Sequence, residues 1–250
     1  ELNMYAGSSG AMGAVVDVEG ATLTLSGTNR LGMYQGPLTA FAWSPVPLIT
    51  SSSGGAGALN LGTTQHNFDA NNPLPTVDGI VAVPLTAGSG GGFTKVTGGS
   101  TILLAADNSG YTGSVTINAG YLAVDRSTSL GPAATTVTIS GGAGLQAIMN
   151  DAINPAHNPV AVPNNFTLNS DFFVVGILDQ AIDLQGKFAN AAARAINLYN
   201  LAPTTFSGTG PNAGGIAFDL PNVAGAMTFN AYAGTQTNVS GRIRGAASMG

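Results

Sequence analysis

Apolar and polar residues alternate along much of this chain. In Ser114-Val115-Thr116-Ile117-Asn118 the period of two puts Val115 and Ile117 on one face of an extended segment and Thr116 on the other. The same alternation recurs in Ala21-Thr22-Leu23-Thr24-Leu25-Ser26-Gly27, in Thr135-Thr136-Val137-Thr138-Ile139-Ser140-Gly141-Gly142 and in Ala226-Met227-Thr228-Phe229-Asn230. Gly-containing turns separate these runs, most densely between Gly90 and Leu122, which predicts short β-strands with one face turned inward. A unit of this size cannot bury its own apolar face, so approximate repetition predicts that neighbouring units stack. Helical periodicity is scarce. The Ala-rich run from Gly186 to Ile196 has the propensity for one short helix, although strand-like runs flank it.

Two stretches depart from the alternating pattern. Residues 35 to 90 hold Pro37, Pro45, Pro47, Pro73, Pro75 and Pro84, and residues 150 to 164 hold Pro155, Pro159 and Pro163. Proline has no N–H to give a central ladder, so both stretches are expected as loops, edges or excursions.

Composition changes the picture in one respect. Charged residues make up 8% of the chain, while Gly numbers 36 and hydrophobic residues reach 44%. Disorder goes with low hydrophobicity and high net charge, so this chain should fold, with Thr, Ser, Asn and Gln forming its polar surface. Such a surface favours self-association. The net charge of −5 and the scattered cations leave no basic stripe for phosphates, which argues against nucleic-acid binding. With no Cys there are no disulfides or thiolate metal sites. No apolar run reaches the length of a transmembrane helix, and a start at Glu1 without a signal segment fits a mature or excised piece.

The run Gly91-Gly92-Phe93-Thr94-Lys95-Val96-Thr97-Gly98-Gly99-Ser100-Thr101-Ile102-Leu103-Leu104, followed by Asn108-Ser109-Gly110-Tyr111-Thr112-Gly113-Ser114-Val115-Thr116-Ile117-Asn118-Ala119-Gly120-Tyr121-Leu122, resembles the autotransporter-associated β-strand repeat. Weaker echoes lie in Asn164-Asn165-Phe166-Thr167-Leu168, Ala181-Ile182-Asp183-Leu184-Gln185-Gly186, Thr204-Thr205-Phe206-Ser207-Gly208 and the segment from Asn238 to Gly245. The resemblance implies a right-handed parallel β-helix passenger, exported through an outer membrane and displayed at a bacterial surface, and it implies no particular activity. Residues 1 to 85 match it only around Leu23, and no membrane barrel is present in the chain.

Several constellations carry residue types capable of chemistry. His66 and His157 are the only histidines; Ser51, Ser52 and Ser53 lie near His66 in sequence, but no nucleophile elbow surrounds them, and His66 is expected in an exposed loop. Asp171, Asp179 and Asp183 have spacings that would align two acids on one strand face, with Lys187 or Arg194 as a basic partner, as a polysaccharide lyase or hydrolase requires. Asp17, Glu19, Asp107 and Asn108 carry oxygen donors but follow no calcium-loop motif, and read as turn formers. The Tyr111-Thr112-Gly113 turn is either a ring covering a strand edge or a ligand-stacking aromatic, with the first preferred. Asn165-Phe166-Thr167 and Asn238-Val239-Ser240 match the glycosylation acceptor pattern only formally.

The sequence therefore points to an all-β protein, a right-handed parallel β-helix (β-solenoid) with Pro-rich loop excursions. Residues 1–89 form an irregular β-rich part and residues 90–250 a β-helix continuous with it, the repeat matching best over 90–122. The expected role is non-enzymatic: a secreted bacterial surface segment of a self-associating fibre, coat or adhesin. No catalytic, cofactor or metal residue is assigned. Expected partners are copies of itself, adjoining segments of a longer chain, or surface glycans. A carbohydrate-active β-helix enzyme and a passive passenger spacer are the alternatives.

Overall fold

A computed structural model describes residues 1–5, 14–34, 46–52, 57–70, 77–148, 159–176, 180–200, 202–220, 227–232 and 234–245. Among these residues every regular element is a β-strand, and every strand pairing is parallel. The strands form sheets of ten, nine, four and three members. No helix is long and apolar enough to cross a membrane among the described residues.

The chain visits the sheets in rotation, one short strand at a time. Gly92–Lys95 lies in the ten-stranded sheet, Thr101–Leu104 in the nine-stranded sheet, and the chain then returns to the first sheet with Ser114–Ile117. Each strand pairs with its counterpart one layer later. Gly92 faces Ser114, Val115 faces Val137 and Phe166 faces Phe188, an advance of 22 residues in each case. The pairing of Gln65–Ala70 with Gly92–Lys95 joins the layers on either side of residue 90.

Register turns the sequence alternation into columns of core residues. Phe93, Val115, Val137, Phe166, Phe188 and Phe218 stand one above another in the first sheet, each at most 1% exposed. Phe166 and Phe188 stack with ring centroids 4.6 Å apart, as do Phe68 and Phe93 at 4.4 Å. A second column in the nine-stranded sheet runs through Ile102, Leu122, Leu145, Val174 and Leu198, all fully buried. Parallel strands are spaced by about 4.8 Å, so such columns bury apolar surface continuously and leave each layer's backbone groups paired with the next.

A third face is built at both ends of the stack but not in its middle. Thr22–Thr24, Ala58–Asn60 and Leu85–Thr86 form the three-stranded sheet, and Val160–Val162, Ile182–Leu184, Thr204–Phe206 and Thr237–Val239 form the four-stranded one. In the two layers between them, residues 105–113 and 125–135 make turns instead. Asparagine side chains bridge this gap. The buried Asn108 amide accepts from Leu85 N at 2.7 Å and donates to Ser129 O at 2.7 Å, and Asn164 donates to Pro132 O at 2.9 Å and Thr135 O at 3.2 Å. A carboxamide has the donor and acceptor of a peptide group, so it can stand in for a missing strand.

Two expectations need correction. The run from Gly186 to Ile196 is not helical: Phe188–Asn190 and Arg194–Tyr199 are strands, because Phe188 fills the core column and the edge of Asn165–Leu168 needs a partner. The described parts of the Pro-rich stretches are only in part the expected edges: Leu85–Thr86 and Val160–Val162 are edge strands, whereas Leu48–Thr50, Ala58–Asn60, Gln65–Ala70 and Val77–Val81 are strands paired on both sides. Pro47, Pro84 and Pro159 each sit one residue ahead of a strand, where no ladder N–H is lost. Pro37, Pro45, Pro73, Pro75 and Pro155 lie outside the described residues.

Candidate functional site

The densest buried polar cluster lies where the first sheet hands the chain to the second. Period two places Lys95 on the same face as Phe93, and register places it between the fully buried Phe68 and Ile117. A lysine therefore occupies a core position. Its Nζ donates to Thr97 O at 2.6 Å, Ser100 Oγ at 2.8 Å and Ala119 O at 3.4 Å. Burial pulls its ammonium down to about 8, against the attraction of the Asp69 and Asp78 carboxylates. Gly120 closes the cage: its φ of +69° is left-handed, and a Cβ there would overlap the carbonyl oxygens of Ser100 and Thr97.

Acidic side chains around this corner tie adjacent layers together. Asp69 accepts from Arg30 at 2.9 Å, from the Tyr34 hydroxyl at 3.2 Å and from the Thr97 hydroxyl. Asp78, fully buried, accepts from Thr101 N at 2.7 Å. At the other end of the stack, Asp219 takes both nitrogens of the Arg244 fork, at 2.9 and 2.5 Å, with Lys187 Nζ at 3.3 Å. The Arg244 hydrogen bonds hold the Asp219 carboxyl below its ordinary value, and Lys187 adds to this. In each case a carboxylate bonds groups from preceding or following layers; Arg30 also lies 3.7 Å from Glu1.

The residues singled out for chemistry are used in the same way. His66 is not in an exposed loop: it is fully buried in the core column beside Phe93, with Nε2 2.7 Å from Leu61 O and 3.3 Å from Thr64 Oγ1. Ser51 Oγ accepts from Gly20 N and Ser52 N donates to Asp17, so both serines serve the turn of the preceding layer. Asp171 stands before a strand of the second sheet and accepts from Ala195 N at 2.8 Å, whereas Asp183 lies on the third face and accepts from Gln185 at 3.0 Å. The two acids do not share a strand face. Lys187 goes to Asp219, and Arg194 donates to Ala193 O. Ser53, His157 and Asp179 lie outside the described residues.

Asp17 and Asp107 each close a turn by accepting from an N–H two residues on, at 2.9 Å, and hydrogen bonds led by Ser52 for Asp17 and Ser109 for Asp107 hold both carboxyls low. Among the described residues, no group of three His, Cys, Asp or Glu is placed to hold a metal ion. Tyr111 is fully buried, its hydroxyl donating to Ser114 O at 2.9 Å and its ring 6.1 Å from Phe93, so it presents no face to a ligand. Asn165 Oδ1 accepts from Lys187 N at 2.9 Å.

The exposed large apolar residues lie on the outer surface and at both ends of the stack, Val15 being 51% exposed at the N-terminal end. Phe173, Tyr199 and Tyr232 form an external aromatic column, with centroids 6.2 and 3.9 Å apart. Stacking on both sides occupies the two faces of Tyr199, which a sugar ring would need. In the last layer Phe229 is 37% exposed, Val239 41% and Ile243 61%. Sequence reading missed both this feature and Lys95, although the period-two signal from Phe93 to Lys95 was available to reveal the latter. No protein-family model matches the chain, and no match was found among curated proteins or solved structures.

Proposed function

We propose that this chain is a non-enzymatic structural module, a right-handed parallel β-helix, or β-solenoid, displayed at a bacterial cell surface as part of a self-associating fibre, coat or adhesin. The observation that carries this reading is the layer-to-layer use of polar side chains. Lys95, Asp69, Asn108, Asn164 and Asp219 each bond groups in neighbouring layers, so the residue types that usually perform chemistry here maintain the stack. The rotation of strands through the sheets supports a solenoid, since parallel strands that return to the same sheet layer after layer need a winding path. The resemblance of residues 91–122 to the autotransporter-associated β-strand repeat supports surface display.

A chain with 8% charged residues has little electrostatic repulsion to oppose contact between copies. Negative-stain electron microscopy of the purified chain is the test. Rods that associate laterally or end to end are expected; compact, isolated particles at all concentrations would overturn the assembly reading. Incubation with a panel of acidic and neutral polysaccharides is expected to give no turnover. Cleavage that disappears in Asp183→Ala would replace this proposal with an enzymatic one.

A further inference from the structure

Tyr199 and Tyr232 are neighbours in adjacent layers of the second sheet. Leu198 is in register with Ala231, and Tyr232 N donates to Leu198 O at 3.2 Å, which brings the two tyrosines side by side. Their rings stack with centroids 3.9 Å apart and 19° between their planes. A hydrogen bond with the Tyr232 hydroxyl raises the Tyr199 pKa above its ordinary value, so the two phenol oxygens lie together. Both side chains stand on the outer surface, 40% and 47% exposed. Tyr199 keeps its exposure with Phe173 over one face and Tyr232 over the other, so what it shows to solvent is its edge and hydroxyl. A further ring or layer laid over Tyr232 would leave its edge open in the same way.

The other tyrosines are placed differently. Tyr111 is fully buried and donates to Ser114 O, and burial raises the pKa of the half-buried Tyr121. Tyr5 and Tyr34 are register partners in the first sheet, but the Tyr34 hydroxyl donates to Asp69 at 3.2 Å and Arg30 lies over its ring, 5.4 Å from the centroid. The chain holds no cysteine, so a disulfide cannot tie its layers in an oxidising medium.

From this geometry we infer that Tyr199 and Tyr232 form an oxidative modification site, at which a peroxidase and hydrogen peroxide join the two phenols into an intrachain dityrosine. Each phenol gives up its hydroxyl proton and one electron, leaving a phenoxyl radical with spin density on Cε. The two radicals pair in one Cε–Cε bond, and the hydrogens displaced from those carbons return to the phenol oxygens as the rings regain aromaticity. The pair thereby loses two hydrogen atoms, and one hydrogen peroxide is reduced to two waters. Adjacent strands are ~4.8 Å apart, close to the spacing of ring centres in a biaryl, so coupling turns the rings without pulling the layers apart. Holding the two rings in contact gives each radical its partner at a high effective concentration, which favours this bond over coupling between chains. The product is a covalent staple between two layers, and it needs only the local geometry, whatever the outcome for assembly.

The test treats the dilute whole chain with a haem peroxidase and limiting hydrogen peroxide. A product that runs as a monomer on a denaturing gel, has lost two hydrogens by mass, shows dityrosine fluorescence and yields a cross-linked peptide joining Tyr199 to Tyr232 is expected. Tyr199→Phe and Tyr232→Phe keep the stacked ring but remove the phenol, and each should lower the intrachain product at least about tenfold, while Tyr121→Phe leaves it unchanged. Circular dichroism checks that each variant keeps its β-signal, and the peptide map of the native chain stands independently of the variants. Equal yield in either of the first two variants, a map that places the link at another pair, or dimers between chains as the main product would overturn the proposal.

Discussion

The Asn108 bridge offers the sharpest test of how the middle of the stack is held. Asn108 is 1% exposed, and its amide satisfies Leu85 N and Ser129 O, each at 2.7 Å. Leu85 N lies on the side of its strand away from the Ala58–Asn60 strand, whose Leu59 N and Leu61 N donate to Pro84 O and Thr86 O. In Asn108→Ala both backbone groups lose their partner. A buried polar group left unsatisfied costs about 1–3 kcal/mol, so the pair predicts a loss of about 2–6 kcal/mol, water entering the vacated volume giving the lower figure. Asn108→Asp keeps the acceptor for Leu85 N but turns a lone pair on Ser129 O. With no cation opposite it, this carboxyl favours its protonated form when folded. Relative to the native chain, the variant then loses least below about pH 4, and its deficit grows as pH rises through the carboxyl's elevated value. Urea denaturation followed by circular dichroism measures the loss, and hydrogen exchange at the Leu85 amide reports it locally, which matters because long stacks need not unfold in a single step. A change in stability below about 0.5 kcal/mol, the level of an ordinary surface substitution, with Leu85 still protected, would refute the bridge as a structural element.

Three further outcomes are expected. Lys95 is depressed to about 8 in the folded state, so the unfolded chain binds more protons above that value; the urea midpoint should rise between about pH 8 and 10, and Lys95→Met should abolish the rise. Asp219 is held low by Arg244 and Lys187, so its contribution is present above its unfolded value of about 4 and disappears as pH falls; the stability gap between the native chain and Asp219→Asn should close during acid titration. Gly141 has φ +65° and a Cβ there would overlap Asn118 O, so Gly141→Ala should lower the thermal midpoint or leave the chain insoluble, whereas Gly98→Ala, with open space around it, should unfold like the native chain.

The strands were legible where side-chain type agrees with position. Ser114–Ile117 and Thr136–Ile139 alternate cleanly, and the structure buries Val115, Ile117, Val137 and Ile139. Legibility failed where type and position disagree. His66, Lys95 and Asn190 occupy inward positions that their polar side chains disguise, and the register with Phe93, Phe68 and Leu168 places them there. Alanine propensity suggests a helix between Gly186 and Ile196, but propensity amounts to tenths of a kcal/mol per residue and yields to an open strand edge and a buried Phe188. The carboxylate partnerships were hidden for another reason: Asp69 finds Arg30 and Thr97, and Asp219 finds Arg244, across intervals that follow from layer spacing and not from local motif.

Pulled from its two ends, such a rod would not yield uniformly. Most joints between layers are fastened along three sides, but across residues 105–113 and 125–135 the third fastening is a few asparagine and turn contacts. A tensile load concentrates where the seam is incomplete, and parallel seams under an axial pull open like a zip, bond after bond. The middle of the chain is thus a crack-starting notch: fracture there would leave two stubs, each fastened on three sides, able to close again once the load is removed.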